Sequence, residues 1–470
     1  MTKHPDSATL ARFAEIVGER GVLREASAQA PYLVEWRKLW HGATPLVLRP
    51  SSTEEVSRVL ALANETETAI VPQSGNTGLV GGQTPNPNGH EIVLSLDRMT
   101  RIIDVDATDF TLTAEAGATL QSIQAAATTV DRLFPLSLAS QGSCRIGGNL
   151  STNAGGLNVL AYGTARDLCL GLEVVLADGR VLKGLKKLRK DNTGYDLKNL
   201  FIGAEGTLGV ITAASLKLFP QPRRHETAFV AVPSPAAALS LLSLMKEASG
   251  NRVVAFELMP EIAMGFTEKH MGIRRLLAEI SPWYVLMELA DTAPDTVMNA
   301  LQSAFEKGLS TDATLAHNES QRQELWAIRE KMPESQKFEG GSIKHDISVP
   351  VSKIPEFIAE ATTAVQRFMP AARVMSFGHM GDGNLHFNVT QPLGMEQQAY
   401  LAQWHAMSER VYEVVVKFGG SISAEHGIGQ LKREDMRWFK TDVELDVMRG
   451  LKKMLDPRSI LNPGKVLPLS

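Results

Sequence analysis

Three segments in the first half of the chain are rich in glycine, asparagine and serine, and they constrain the fold more than any other feature. They are VPQSGNTGLVGGQTP at 71–85, QGSCRIGGNLSTNAGGLNVLAYG at 141–163 and KDNTGYDLKNLFIGAEGTLGVIT at 190–212. Glycine permits positive φ and close approach of the backbone to a ligand, and consecutive N–H groups form a concave anion site. One such loop alone is more typical of a turn-rich connection. Three in one region predict a domain that surrounds a large, extended ligand, for which a dinucleotide fits better than a mononucleotide.

The glycine spacing matches neither GxGxxG nor GxxxxGK[ST], so neither a Rossmann nor a P-loop site is supported. Along the remaining chain, strand-like and helix-like segments predict an α+β fold in which helices cover an antiparallel sheet. Pro220 and Pro222 suggest a boundary, and 470 residues suffice for about three domains of ~150 residues. We expect a first domain at 1–221 with its core at about 40–221, an α+β domain at 222–410 and a helical segment at 411–470.

Charge and composition narrow the class of protein. A net charge of -4 and a pI near 6.3 give no reason to expect nucleic acid as a partner. The start of the chain lacks the apolar core of a signal peptide, and no apolar run approaches the roughly 20 residues of a membrane span. Cys144 and Cys169 do not make a disulfide framework, which favours a reducing compartment. We therefore expect a cytoplasmic protein.

The stretch FGHMGDGNLHFNV at 377–389 contains a second kind of signal. Asp-Gly is a strong hairpin turn, and with Asp382 and Gly383 at its centre His379 would pair with His386 across two antiparallel strands. Asn388 would share the face of His386. Two facing imidazoles suit one metal ion, but an ordinary hairpin with a chance pair of histidines explains the stretch equally well.

These segments together resemble a known family. The three glycine-rich segments are similar to the FAD-binding domain of FAD-linked oxidases of the vanillyl-alcohol-oxidase and p-cresol-methylhydroxylase (PCMH) type. GHMGDGNLHFN, SAEHGIGQLKR at 423–433 and LDPRSILNPGKVL at 455–467 resemble the D-2-hydroxy-acid dehydrogenase branch, with the D-2-hydroxyglutarate dehydrogenases closest. The resemblance covers about residues 35–467 and departs from that group at Ser74, where glycine is usual. It implies a two-part FAD-binding domain of the PCMH type, then the α+β substrate domain, and a C-terminal segment that completes the flavin and metal site.

The resemblance also implies a set of cofactor contacts. The first loop would cradle the FAD pyrophosphate with Gln73, Ser74, Gly75, Asn76, Thr77, Gly78 and Leu79. The flavin and ribityl chain would be lined by Ser143, Gly147, Gly148, Asn149 and Asn153, and the adenosine part by Glu205, Gly206, Gly209 and Val210. The isoalloxazine edge would be reached by Asn462, Pro463 and Lys465. Because the first loop has no histidine, we expect FAD to be bound non-covalently.

His379, His386 and Glu425 match the metal ligands of this branch, and the implied ion is zinc or manganese. The same ligand types could also hold non-haem iron. His426 matches the catalytic base of the branch. Since adjacent strand residues point apart, a bend is expected in EHGIG so that both Glu425 and His426 can face one site.

Arg329, Lys344 and Asn388 match the residues that bind the substrate. Arginine can grip a carboxylate through two hydrogen bonds. In the D-2-hydroxyglutarate group a threonine commonly sits four residues after the arginine, and this chain has Pro333 there. Lys344 and Asn388 retain the features expected for a dicarboxylate.

The implied reaction is oxidation of a D-2-hydroxy acid to the 2-oxo acid. A metal would lower the pKa of the hydroxyl, His426 would take its proton, and the Cα hydrogen would leave as hydride to flavin N5. D-2-hydroxyglutarate is the expected substrate, and D-lactate (or glycolate, in the related branch enzymes) and D-malate are alternatives. No ferredoxin-type cysteine run or haem motif occurs in the sequence, so electrons are expected to leave to electron-transfer flavoprotein, a quinone or a cytochrome.

Two other functions stay open on the sequence. A non-haem iron oxygenase could use the same two histidines and carboxylate, although it would not need a dinucleotide domain. A binding protein could retain the fold without catalysis. The family also suggests a homodimer.

Overall fold

The computed structural model describes residues 3–468 and shows an α+β fold, which confirms the predicted fold class. The described chain forms two compact units. One contains residues 3–156, 163–221 and 425–468, and the other contains 157–162 and 222–424. The domain limits given above stay a prediction.

The described chain contains both helices and strands. The helices are α1 Ser7–Val17, α2 Ala26–Leu33, α3 Thr53–Thr66, α4 Leu120–Thr128, α5 Ile146–Ser151, α6 Val159–Tyr162, α7 Lys198–Phe201, α8 Pro235–Ser249, α9 Glu261–Met271, α10 Thr296–Glu306, α11 Glu319–Ser335, α12 Ile354–Phe368, α13 Gln397–Leu401, α14 Trp404–Lys417, α15 Met436–Phe439 and α16 Asp442–Leu455. The strands are β1 Val22–Leu23, β2 Val47–Leu48, β3 Ile70–Gln73, β4 Ile92–Ser95, β5 Ile102–Asp106, β6 Thr111–Glu115, β7 Arg132–Leu133, β8 Cys169–Val175, β9 Val181–Gly184, β10 Val210–Lys217, β11 Phe219–Pro220, β12 His225–Val232, β13 Val253–Pro260, β14 Trp283–Ala290, β15 Asp312–Leu315, β16 Ser342–Ser348, β17 Arg373–His379 and β18 Asn384–Thr390.

The first unit is built on two larger sheets, with strand orders β1-β2-β4-β3 and β5-β6-β10-β8-β9, and a small β11-β7 pair. β3 and β4 run parallel. Helix α3 precedes β3 and begins at an N-cap, where the hydroxyl of Ser52 accepts the N–H of Glu55 at 3.2 Å. Its apolar side is buried at helical spacing, with Val56, Val59 and Leu60 fully covered. The first glycine-rich loop therefore starts at the carboxyl end of a buried parallel strand.

The second unit is built on one antiparallel sheet with strand order β15-β12-β14-β13-β17-β18-β16. Helices α9 and α11 cover one face, where Met264 and Ile328 pack against Phe377 and Leu286 in a shared core. Lys344 in β16 and its neighbour His345 point to opposite faces. His345 lies 3.1 Å from the hydroxyl of Ser408 in α14, so α14 covers the face opposite to α9 and α11. Lys344, Asn388 and His386 lie on the α9 and α11 face, in register with Met375 and Phe377.

None of the helices within residues 3–468 has the length and apolar character needed to cross a membrane. The cytoplasmic location stays a prediction.

Candidate active site

The three glycine-rich segments come together within the first unit, apart from residues 157–162 of the second segment, which belong to the second unit. A Cβ on Gly75 would lie 2.4 Å from the carbonyl oxygen of Ser143, so the first and second segments are in backbone contact. A Cβ on Gly206 would lie 3.1 Å from Cγ of Pro72, which places the third segment against the end of β3. Glycine at these positions permits an approach that a side chain would prevent. The segments therefore form one region and not three separate turns.

Four non-glycine residues of this region have left-handed backbone conformations. Asn76, Asn153, Glu205 and Asn462 have φ values of 52°, 50°, 50° and 45°. Such conformations are uncommon for residues with a side chain and are held by the surrounding structure, often at ligand sites. All four belong to the residues that the family resemblance implicates in FAD binding.

Two of these asparagines also carry buried oxygen atoms without a hydrogen-bond partner among residues 3–468. The Asn76 amide donates to the carbonyl oxygens of Pro31 and Val34, and its Oδ1 has no partner. The Asn462 amide donates to the carbonyls of Gly82 and Glu205 at 2.8 Å, and its Oδ1 has none either. Buried polar atoms are rarely left unpaired. A ligand that donates hydrogen bonds would satisfy both oxygens.

The remaining predicted FAD residues divide into loop residues and packing residues. Ser74, Thr77, Gly78 and Leu79 are half-buried in the first loop, Gly147, Gly148 and Asn149 lie on α5, and Ser143 is exposed just before it. The side-chain amide of Gln73 donates to the backbone carbonyl oxygens of Tyr32 and Gln83. A Cβ on Gly209 would lie 2.6 Å from Val174, and Val210 is buried in β10. The positions of Gly209 and Val210 are explained by packing alone.

The C-terminal segment runs beside β3 within the same unit. The N–H of Ile70 donates to Ile460, and the N–H of Asn462 donates back to Ile70 at 2.8 Å. Pro463 follows Asn462 directly in this segment, and Lys465 is buried with its ammonium 3.4 Å from Glu91. Burial lowers the pKa of Lys465, although Glu91 opposes this.

Glu205 holds the loop that follows His426. Its Oε1 accepts the N–H of Ile428 at 2.7 Å, and its Oε2 accepts the N–H of Gly429 at 2.9 Å. Burial raises the pKa of Glu205 to about 7, and these hydrogen bonds and the charge of Lys432 offset the rise only in part. In this structure the carboxylate therefore binds the protein backbone.

Glu425 and His426 lie in a bend, as the sequence predicted. Nε2 of His426 is 3.6 Å from Oε1 of Glu425, so the two adjacent side chains point to the same side. Gly427 and Gly429 have φ values of 82° and 52°, which allow the chain to turn sharply there. Both side chains are half-buried.

The predicted register of the histidine hairpin is wrong. His386 pairs with Phe377, not with His379, and β17 and β18 are joined by a longer loop at 380–383. On the other edge of β17, His379 pairs with Glu257 of β13. Since His379 lies two residues beyond Phe377, it still shares the face of His386. The two imidazole centroids are 5.6 Å apart, so they are neighbours as predicted.

The predicted substrate residues lie on or against this same face. Lys344 pairs with Asn388, and Asp346 pairs with His386. The Asn388 amide donates to Oε1 of Gln336 at 2.8 Å, so part of its hydrogen-bonding capacity is used inside the protein. The face therefore combines a lysine, an asparagine and two histidines in adjacent strands.

Arg329 is a buried residue of α11, at 6% exposure, and not a solvated charge on a helix surface. Its Nε donates to Oε2 of Glu257 at 2.6 Å, and its Cζ lies 4.8 Å from the centroid of the Phe377 ring. Within residues 3–468, Arg329 donates a side-chain hydrogen bond through its Nε–H alone. The N–H groups on its two Nη atoms are therefore left for a ligand. A buried guanidinium with donors to spare suits an incoming carboxylate.

Glu257 is the residue that sequence reasoning missed. Its carboxylate contacts Arg329 through Oε2 and Nδ1 of His379 through Oε1, the latter at 2.5 Å. Burial would raise the pKa of Glu257, but the charges and hydrogen bonds of His379 and Arg329 outweigh it and lower the pKa to about 2. The signal was present in VVAFELMP, where one acid interrupts an apolar strand. Such an acid must be paired when buried.

Two protein families match parts of the chain. A family described as "FAD binding domain" matches residues 44–184, and one described as "FAD linked oxidases, C-terminal domain" matches residues 221–466. The mitochondrial D-2-hydroxyglutarate dehydrogenase of Bos taurus is 40% identical over 464 residues, covering 98% of this chain and 83% of that protein. A putative mitochondrial D-lactate dehydrogenase of Schizosaccharomyces pombe is 35% identical, covering 96% of this chain and 89% of that protein.

A solved structure supports the same assignment of fold. The structure of p-cresol methylhydroxylase with bound substrate is 15% identical, has a TM-score of 0.76 and covers 100% of this chain and 99% of that chain. The expected PCMH-type fold is therefore confirmed. Together with the matched sequence families, this shows that the chain belongs to the FAD-linked oxidases.

Proposed function

We propose that this protein is an FAD-dependent dehydrogenase that oxidises a D-2-hydroxy acid to the 2-oxo acid. The observation that carries the proposal is the histidine, lysine and asparagine face of the second unit, against which the buried Arg329 is held. A small anionic substrate needs cationic and hydrogen-bonding groups of this kind. The related proteins named D-2-hydroxyglutarate and D-lactate dehydrogenase act on substrates of this class.

We propose that the three glycine-rich segments and Asn462 hold FAD non-covalently. The unpaired oxygens of Asn76 and Asn462 and the glycine-mediated contacts of Gly75 and Gly206 fit such a ligand. Bound FAD supplies the acceptor for the hydride from the substrate Cα. The protein contributes the binding and orientation of the cofactor and the exclusion of water.

We propose that His379, His386 and Glu425 ligate a divalent metal, zinc or manganese. The two imidazoles are neighbours on one sheet face. Glu425 directly follows Ala424, whose N–H donates to Asp346 at 3.4 Å, and Asp346 pairs with His386. Two imidazoles and one carboxylate are typical ligands of catalytic zinc, which supplies a Lewis acid for the hydroxyl group.

We propose that His426 is the general base that takes the hydroxyl proton. The bend at Gly427 turns its imidazole to the same side as Glu425, with Nε2 3.6 Å from Oε1. Histidine is the side chain that most often serves as a general base in enzymes. The loop beyond it is held by Glu205 through two backbone N–H groups.

Arg329, Lys344 and Asn388 are the proposed substrate-binding residues. Arg329 has two Nη groups for a carboxylate, and Lys344 lies opposite Asn388 in the sheet. Two cations favour a dicarboxylate, so D-2-hydroxyglutarate is the first candidate. D-lactate is the second candidate, since Pro333 cannot offer the hydroxyl that a threonine offers there.

The reduced flavin is proposed to pass its electrons to a separate acceptor: electron-transfer flavoprotein, a quinone or a cytochrome. The sequence carries no cysteine run or haem motif that could receive them within the chain.

The proposal is tested by anaerobic spectroscopy of the purified protein. D-2-hydroxyglutarate, D-lactate and D-malate are added in turn, with their L-forms as controls. We expect the visible flavin absorption to bleach with at least one D-acid and with no L-acid. A protein without flavin absorption would contradict the FAD assignment and favour an oxygenase. A yellow protein that no D-acid bleaches would favour a binding protein.

A further inference from the structure

The carboxylate of Glu257 lies between two residues that the proposed function uses for different purposes. Oε1 is 2.5 Å from Nδ1 of His379, and Oε2 accepts the Nε–H of Arg329 at 2.6 Å. The side chain is completely buried in β13, directly opposite His379 in the neighbouring strand. One carboxylate thus links a proposed metal ligand to a proposed substrate-binding cation.

The contact with His379 selects one form of the imidazole. Because a carboxylate accepts, Nδ1 carries a proton, and in the neutral ring this is the Nδ1–H tautomer. This is the tautomer in which Nε2 can bind a metal, and a carboxylate behind a ligating histidine also fixes the ring orientation. The strand pairing of Glu257 with His379 keeps the two Cα positions opposite each other.

The contact with Arg329 fixes the direction of the guanidinium. Its Nε is held by Glu257, and its plane is supported by the Phe377 ring at 4.8 Å. A side chain that is already held loses little freedom when it binds a ligand. The charge of the guanidinium is balanced by Glu257 before any substrate arrives, so Arg329 can remain buried without one.

We propose that Glu257 is a positioning residue that serves both groups, orienting His379 for the metal and Arg329 for the substrate carboxylate. This inference rests on the proposed function and adds to it a residue outside the predicted site. A single substitution at Glu257 then weakens metal binding and carboxylate binding together.

Glu288 provides a matched control on the same face of the sheet. It is a buried glutamate of β14 at 4% exposure, and its carboxylate accepts hydrogen bonds from Arg322, Trp326 and Thr227. It therefore resembles Glu257 in burial and pairing, but its partners are not proposed site residues. Glu288→Gln reports what the loss of a buried charge does to the sheet alone.

The experiment uses the full chain with FAD bound and the metal removed by a chelator. Zinc affinity is measured by competition with a chromophoric chelator in the absence of any acid. The affinity for 2-oxoglutarate is measured separately, without zinc, from the change it causes in the flavin spectrum. FAD content and circular dichroism verify that each variant is folded.

We expect Glu257→Gln to lower zinc affinity by about 10- to 100-fold, the range found when such carboxylates are replaced, and to lower 2-oxoglutarate affinity severalfold. The glutamine side chain has one carbonyl oxygen, which can accept from either His379 or Arg329. Its NH₂ group is a donor, so it cannot accept a hydrogen bond from the other residue. Glu288→Gln should change neither affinity. If Glu257→Gln does not fold, Glu257→Asp is the second variant. It keeps the negative charge but is one methylene shorter, so it cannot reach both His379 and Arg329, and both affinities should again fall.

Unchanged zinc and 2-oxoglutarate affinities in Glu257→Gln would overturn the inference, and so would loss of one affinity with retention of the other. Equal losses in Glu288→Gln would also overturn it, because they would reflect general damage to the sheet. If the wild-type protein itself binds neither zinc nor 2-oxoglutarate, the proposed function fails as well. That result is therefore distinguishable from failure of the inference alone.

Discussion

At the residue scale, the proposed general base is one imidazole, that of His426. Replacement by asparagine should slow anaerobic flavin reduction by about 10²- to 10⁴-fold, the usual contribution of a general base. FAD should stay bound, because the proposed cofactor contacts lie elsewhere. Stopped-flow absorbance with the preferred D-acid measures the rate, and His405→Asn, an exposed histidine on α14, is the control. Reduction at the wild-type rate in His426→Asn would remove His426 from the mechanism.

Pro333 should influence the choice of substrate. Proline has no N–H, so the carbonyl of Arg329, one helical turn earlier in α11, receives no hydrogen bond from this residue. Pro333→Thr restores the N–H and adds a hydroxyl near the proposed carboxylate site. One added hydrogen bond of about 1 kcal/mol corresponds to roughly fivefold in kcat/KM for D-2-hydroxyglutarate relative to D-lactate.

Pro333→Ala is the control, since it restores the N–H without the hydroxyl. If Pro333→Ala changes the ratio of the two kcat/KM values as much as Pro333→Thr does, the hydroxyl has no role in substrate choice.

Sequence reasoning at this scale could recognise residue types but not their partners. His379, His386 and Arg329 stand out because histidine and arginine carry chemistry in recognisable motifs. Glu257 did not stand out, because its partners are far away in the sequence and its importance depends on burial. A charged residue inside an apolar strand is nevertheless a signal that a paired site lies nearby.

At the element scale, helix α5 depends on close contact with the end of β6. A Cβ on Gly147 would lie 2.7 Å from Cβ of Ala116, and the Gly147 N–H donates to the Ala116 carbonyl at 2.8 Å. Gly147→Ala should push α5 outward, lower the free energy of unfolding by about 1–3 kcal/mol and weaken FAD binding. The amount of FAD retained after gel filtration measures the effect.

Gly142→Ala is the matched control in the same segment, because its added Cβ would meet only the side-chain oxygen of Gln121 at 3.4 Å. Full FAD retention in Gly147→Ala, or equal loss in both variants, would contradict the account of this contact.

Titration of Glu205 should make the free energy of unfolding depend on pH. The pKa of Glu205 is raised to about 7 by burial, against an ordinary value of 4.5. Between these values the folded state holds a proton that the unfolded state has released, so stability falls as pH rises through this window. The full effect is on the order of 3 kcal/mol. Thermal unfolding with excess FAD between pH 5 and pH 8, roughly the window set by the raised pKa, should show this decline in the wild type.

Glu205→Gln removes the titrating group, so its stability relative to the wild type should improve as pH rises. A difference between the two proteins that does not change with pH would mean that Glu205 is ionised throughout the window.

The Asp-Gly rule predicted a hairpin at 377–389 but not its register. The rule placed His379 opposite His386, but four residues at 380–383 join β17 to β18 instead of a two-residue turn, and the register is shifted by two residues. A turn rule describes only the two strands next to it. The face shared by the two histidines was predicted correctly, because alternation along a strand does not depend on the turn.

At the scale of the whole molecule, composition and motif order predicted the fold class, and the family comparisons confirm it. The sequence did not show that residues 157–162, inside the second glycine-rich segment, belong to the other unit. In this stretch Leu160 packs against Gly381, since a Cβ added to Gly381 would lie 2.5 Å from Cδ2 of Leu160. Contacts between residues so distant in sequence leave no periodic pattern, so they cannot be predicted from one sequence.

The most direct test of the central claim follows the Cα hydrogen of the substrate. The D-acid that bleaches the flavin fastest is prepared with deuterium at C2 and mixed anaerobically with the metal-loaded protein. We expect slower bleaching than with the unlabelled acid, because the Cα–H bond breaks as the flavin is reduced, and one 2-oxo acid formed for each flavin reduced. A flavin that no D-acid reduces, even with added zinc or manganese, would contradict the proposed dehydrogenase activity and leave the FAD-linked oxidase fold without its proposed reaction.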